Sequence, residues 1–188
     1  MSRCDLPLDV GPTTSGQRRV GVMVACALFA IALSGSLVTA NRSKYNDEEL
    51  WQQRSQQFAT GLVTGDLNRL TAYDVNFDTT SVSITMPGVP TLWVGSLVII
   101  AECVSDTTPS SLRTCVERST GPALPNVHRA MALLGAALVA LLWLVSRRLL
   151  GTMTALLACL LIATEPFLTA LRTMFHTDSL VMSFSLIG

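Results

Sequence analysis

Charge is what this sequence has little of. Only 14% of its 188 residues are Asp, Glu, Lys or Arg, against about 25% in an ordinary soluble domain. There is no surplus of either sign, because 13 basic residues face 13 acidic ones. Without a basic excess nothing neutralises a phosphate backbone, so no nucleic-acid partner is expected. No C-x-x-C pair occurs among the 5 cysteines, which argues against cysteine-ligated metal. Disorder is excluded as well, since 49% of the chain is apolar.

What is present is a set of long uncharged runs. Val20 to Ala40 spans 21 residues without a charge, enough at 1.5 Å per residue to cross a hydrocarbon core of roughly 30 Å. A secretory signal peptide is the competing interpretation, with Arg18-Arg19 as its basic start and Val38-Thr39-Ala40 as its cleavage site. Its apolar region would run about 7 to 15 residues, and this one is longer. Further runs cover Ala130 to Ser146 and Leu149 to Thr164, separated by Arg147-Arg148, with Gly151 at the bend. Leu180 to Ile187 opens a fourth, cut at Gly188. A helix stopping within the bilayer leaves carbonyls without partners, so the chain is expected to be the front part of a longer multi-span protein.

Arginines set the orientation. Arg3, Arg18 and Arg19 precede the first span and Arg147-Arg148 lies between the second and third, so both sites are placed in the cytoplasm. The expected organisation is a cytoplasmic start (1–19), a first span (20–40), an extracytoplasmic loop (41–127), spans at 128–146 and 149–164, an outer turn (165–178) and the beginning of a fourth span (179–188). The loop carries six basic and nine acidic residues, a balance of −3. Cys26 and Cys159 fall within spans as packing residues and Cys4 is cytoplasmic. Cys103 and Cys115 share the outer loop, where oxidation is allowed, and their pairing is left open.

Within the loop, Trp51, Phe58 and Leu62 recur at i, i+7 and i+11, the spacing of one helical face. An amphipathic helix is predicted over 47–64, lying along the membrane, with Asn46 as N-cap, Glu49 completing a capping box and Gly61 or Gly65 as the stop. Helix-start electrostatics alone account for Asp47, Glu48 and Glu49, and Glu49 best of all. Val82, Ile84 and Met86 alternate with polar residues as a short strand or extended segment would. Residues 91–103 are apolar but too few to span and predict an interfacial helix, while Ser105 to Pro125, rich in Ser, Thr and Pro, predicts a surface loop. The 165–178 turn holds Glu165, Arg172, His176 and Asp178 between apolar runs. Ionisable groups at that depth are functional candidates; the alternative is an Arg172 salt bridge to Glu165 or Asp178 that caps helix ends.

In this order, Asp47-Glu48, Pro87-Gly88-Val89-Pro90-Thr91-Leu92-Trp93, Arg147-Arg148-Leu149, and Glu165-Pro166-Phe167 through Arg172 to Asp178-Ser179-Leu180 resemble the N-terminal part of GT-C membrane glycosyltransferases. The closest likeness is to the dolichyl-phosphate-mannose protein mannosyltransferase and lipid A aminoarabinose transferase group. The resemblance runs through nearly all the chain from the first span onward. It departs from the family where Met86-Pro87 stands in place of a frequent His-Pro, and in showing three spans and a stub instead of about ten or more.

The resemblance implies an α-helical multi-pass protein of the plasma (inner) membrane, a GT-C-like N-terminal bundle with a long extracytoplasmic first loop. It implies a polyprenyl-phosphate-linked sugar donor, surrounding membrane lipids, and an acceptor that is a protein, lipid or glycan. Asp47 would be the catalytic carboxylate with Glu48 as its helper, Arg172 would bind the leaving phosphate, and Asp178 would orient substrate. No cofactor is called for; a divalent metal at His176 and Asp178 is the weaker option. A fragment of such an enzyme is expected to be inactive by itself. The rival is a non-enzymatic anchor or assembly protein whose outer loop binds a partner, and a transporter comes third.

Overall fold

A computed structural model describes residues 15–40, 48–77, 80–85, 90–105 and 111–176. Two helices, α1 (Ser15–Thr39) and α6 (Leu124–Leu149), are long and apolar enough to cross a membrane. They pack with α7 (Thr152–Thr164) into a three-helix layer. On α1 and α7 its seam is built mostly from small side chains. Gly21, Ala25, Leu28, Ala32 and Ser36 are the buried positions of α1, and Ala155, Cys159 and Ala163 those of α7. Lipid tails are as apolar as leucine, so burial alone gives membrane helices no reason to associate, and close backbone approach through small residues supplies the contact instead. Trp143 of α6 fills the centre and donates its indole N–H to the Gly21 carbonyl at 3.0 Å.

The outward positions show the complementary pattern. Val20, Met23, Ile31 and Val38 of α1 and Leu133 and Leu141 of α6 are exposed. α6 begins before the expected residue 128 and continues past 146, taking in the arginine pair. Those arginines occupy its last turn, where cations complement the carbonyl end of the helix. Arg147 also lies 6.0 Å from the Trp143 ring centroid. Gly151, at φ +80°, makes the turn into α7. α7 has 13 residues and rises only about 20 Å, less than a hydrocarbon core needs.

Among the described residues between the two long helices, the helical segments form a second packed unit. α2 (Glu48–Thr64) buries Trp51, Ser55, Phe58 and Ala59 on one face, and Gly65, at φ +73°, ends it. α3 (Leu67–Thr71) leads into an antiparallel hairpin of β1 (Ala72–Phe77) and β2 (Thr80–Thr85), in which Val75 pairs with Val82. The strand expected around residue 82 therefore has a partner that its alternation did not announce. α4 (Pro90–Ser105) packs on α2, where Ser96 donates its hydroxyl proton to the Ser55 carbonyl at 3.0 Å.

The surface loop expected from Ser105 to Pro125 is corrected over its middle. Residues Leu112–Arg118 form a helix, α5. Ser111 caps it by accepting from the Thr114 N–H, Arg113 pairs with Glu117 at 2.9 Å, and Val116 is fully buried against Ala59 and Ile99. Cys115 is joined to Cys103 of α4 by a disulfide. A helix this short is marginal in isolation; tertiary packing and the cross-link hold it. Glu102, beside that disulfide, accepts from the Ala123 N–H and from the Asn126 side-chain amide at 2.6 Å, so α4 caps the N-terminus of α6.

Candidate functional site

The two units meet at the first turn of α2. Glu48 lies there with 1% of its surface exposed, an environment that a carboxyl group tolerates only when its oxygens are hydrogen-bonded. Oε1 is 2.8 Å from His128 Nε2 and accepts from the Phe175 backbone N–H at 3.1 Å. His128 sits in the first turns of α6 and is itself buried. Its Nδ1 is 2.7 Å from the Ala40 carbonyl, just past the end of α1. A carbonyl can only accept, so Nδ1 carries a proton, and a second proton lies between Nε2 and Oε1. One imidazole thus ties α6 to residues 40 and 48, which lie 88 and 80 positions earlier in the chain, and, through the shared oxygen, to residue 175.

Aromatic packing surrounds this junction. Phe175 is fully buried with Trp51, Phe58, Leu92, Val127 and Met131. Gly95 of α4 leaves the space that Phe175 and Ser55 occupy, and a Cβ there would stand 2.6 Å from the Phe175 ring. One turn beyond Glu48, Trp51 meets His176 edge to face, with ring centroids 5.6 Å apart, and Arg54 lies 5.0 Å from the Trp51 centroid.

Arg172 follows the short helix α8 (Pro166–Leu171), whose N-terminus Glu165 caps by accepting from the Leu168 N–H. Pro166 explains what the arginine does. It is four residues after Ile162, and with no N–H it cannot serve the Ile162 carbonyl as the next helical turn would. Arg172 Nη1 donates to that carbonyl at 2.8 Å instead. Nη2 donates to the Ala163 carbonyl and to Thr169 Oγ1, both at 2.9 Å, and Nε to Ser36 Oγ at 3.4 Å. Burial pushes its pKa below the ordinary arginine value and the Glu165 charge pulls it back up; at neutral pH the guanidinium stays cationic. Its stem passes Gly135, where a Cβ would be 2.9 Å from Cδ.

Of the site residues anticipated from sequence, Glu48 is therefore brought to His128 and Phe175, while Arg172 is engaged by oxygens at the end of α7. Asp47 and Asp178 lie outside the described residues. His176 stands against Trp51. Among the described residues no group of three His, Cys, Asp or Glu side chains gathers to hold a metal ion. Sequence reasoning missed His128. The available signal is an ionisable residue at the head of an apolar helix, just ahead of the uncharged run that opens at Ala130.

No curated protein and no solved structure matches the chain. Residues 124–187, from the first residue of α6 onward, match the family model for dolichyl-phosphate-mannose-protein mannosyltransferase, so the segment that carries His128, Arg172 and Phe175 resembles that family and points to a membrane mannosyltransferase-like function.

Proposed function

We propose that the protein, expressed in full from its gene, is an integral-membrane glycosyltransferase that moves a sugar from a polyprenyl phosphate to an acceptor hydroxyl on the extracytoplasmic side. One observation carries this reading. The acidic start of α2 is fastened through the Glu48–His128 contact and the Phe175 N–H to the stretch that matches the mannosyltransferase family. A carboxylate that merely began a surface helix would have no need of the burial found at Glu48.

In the proposed reaction the acceptor oxygen attacks the anomeric carbon as the bond from that carbon to the phosphate oxygen breaks. The electron pair of the broken bond leaves with the lipid phosphate, and the hydroxyl proton passes to Asp47 as general base. Inversion at the anomeric carbon follows from attack opposite the leaving group. Glu48, with an oxygen already accepting from Phe175, helps by holding the first turn of α2 in place. Asp178 orients the substrate. Arg172, which also donates to the Ile162 and Ala163 carbonyls at the end of α7, is the local cation for the leaving phosphate.

The anchor alternative draws on the same arginine, since a guanidinium satisfied by helix carbonyls is what a purely structural turn would contain. Asp47→Asn separates the two. In membranes supplied with a polyprenyl-phosphate sugar, this variant is expected to insert normally and to lose consumption of the donor. Turnover equal to that of the parent protein would remove Asp47 from the mechanism.

A further inference from the structure

His128 is buried at the junction of the two packed units, and nothing in the transfer chemistry above uses it. Its two ring nitrogens do separable jobs. Nδ1 donates to the Ala40 carbonyl at 2.7 Å and so ties α6 to the end of α1, while Nε2 meets Glu48 Oε1 at 2.8 Å and so ties α6 to the start of α2. The same Oε1 accepts from the Phe175 N–H, so a shift of Glu48 is felt by the segment after α8 as well. A simple apolar contact would have packed these helices. A histidine with both nitrogens used instead fixes distance and direction on two sides at once.

We propose that His128 is a positioning residue for the transfer reaction, acting through Glu48 to hold the acidic start of α2 in register with the 172–176 segment. The inference rests on the function proposed above. Asp47 is one peptide unit from Glu48, with Cα atoms about 3.8 Å apart, so whatever fixes the Glu48 backbone limits where the Asp47 backbone can go. A misplacement of about 1 Å at a catalytic group is enough to cost on the order of 100-fold in rate. His128 touches no reacting atom in this account, and its effect belongs in kcat.

Two substitutions separate the two nitrogens. His128→Gln places an amide nitrogen near the position of Nε2 and can keep the Glu48 contact while giving up Ala40. His128→Asn places one near Nδ1 and can keep Ala40, but it is too short to reach Glu48. Using the full protein in proteoliposomes with a polyprenyl-phosphate sugar, His128→Asn is expected to lower kcat on the order of 100-fold with KM for the donor little changed. His128→Gln should retain most of kcat. Glu48→Gln combined with His128→Asn should be no worse than the poorer single variant, because both act through one contact. Rates are taken per folded molecule, with protease resistance measuring the folded fraction.

Equal kcat per folded molecule in the two His128 variants, or multiplicative losses in the double variant, would overturn the inference while Asp47→Asn remains inactive. If Asp47→Asn is fully active in the same assay, the functional reading fails first and the positioning role fails with it. The two failures are thus told apart by the Asp47 control.

Discussion

Replacing Arg172 with methionine tests what the buried guanidinium does. Methionine keeps an unbranched stem beside Gly135 and removes all five N–H donors. Of the acceptors lost, Ser36 Oγ at 3.4 Å is marginal, and Thr169 Oγ1 is still engaged because it donates to the Glu165 carbonyl at 2.8 Å. The cost therefore falls on the carbonyls of Ile162 and Ala163. Pro166 cannot serve the first, and the Thr169 hydroxyl, whose one proton is given to Glu165, approaches the second only at 3.5 Å. A buried acceptor left without a donor costs about 1–3 kcal/mol. Removing a buried guanidinium, 2% exposed, returns part of its desolvation penalty, so we expect a net destabilisation of about 2–4 kcal/mol. Denaturant titration in detergent micelles, followed by the fluorescence of tryptophans such as Trp143 in the α1/α6/α7 core, measures it. Arg172→Lys should recover about half of the loss, since one ammonium cannot reach both carbonyls with the fork that arginine presents. Stability of the methionine variant within about 0.5 kcal/mol of the parent, the range of an inconsequential surface change, would refute the reasoning. If such a stable variant also lost donor binding, the guanidinium would be acting on the phosphate.

Two further outcomes follow from the same geometry. Gly135→Ala brings a Cβ to 2.9 Å from Arg172 Cδ and should cost about 1–3 kcal/mol by overpacking; in the Arg172→Met background, with its more adaptable side chain, the loss should shrink, and additivity in the double variant would show that the two positions do not meet. Changing both Cys103 and Cys115 to serine opens a cross-link with a sequence separation of 12, worth about 3 kcal/mol for a loop of this size. Limited proteolysis should then cut around α5 while leaving the α1/α6/α7 bundle intact, and unchanged protection of residues 111–119 would mean that Val116 packing alone secures the helix.

The division between what the sequence discloses and what it hides follows the range of the interactions involved. Uncharged length and the Arg147-Arg148 pair mark α1 and α6, because spanning a bilayer and facing it are properties of one helix at a time. The Trp51 and Phe58 spacing marks the buried face of α2 for the same reason. α5 escaped because seven residues hold too few turns for a period to register, and its Ser and Thr neighbours dominate the local composition. Glu48 shows the limit most clearly. In the local sequence it is a helix-start acid, and that role needs only the helix itself; its burial depends on residues 128 and 175, which no local pattern connects to it. Arg172 lies between these cases. Its choice between salt bridge and phosphate ligand was undecidable from charge alone, yet the spacing Ile162, Pro166, Arg172 contains a usable clue. A proline four residues after a helix carbonyl creates an acceptor that the helix cannot satisfy, and a long cationic donor shortly afterwards is well suited to satisfy it. A missing donor can therefore be as informative as a charged residue, and here it accounts for the Ile162 carbonyl that the Arg172 guanidinium serves.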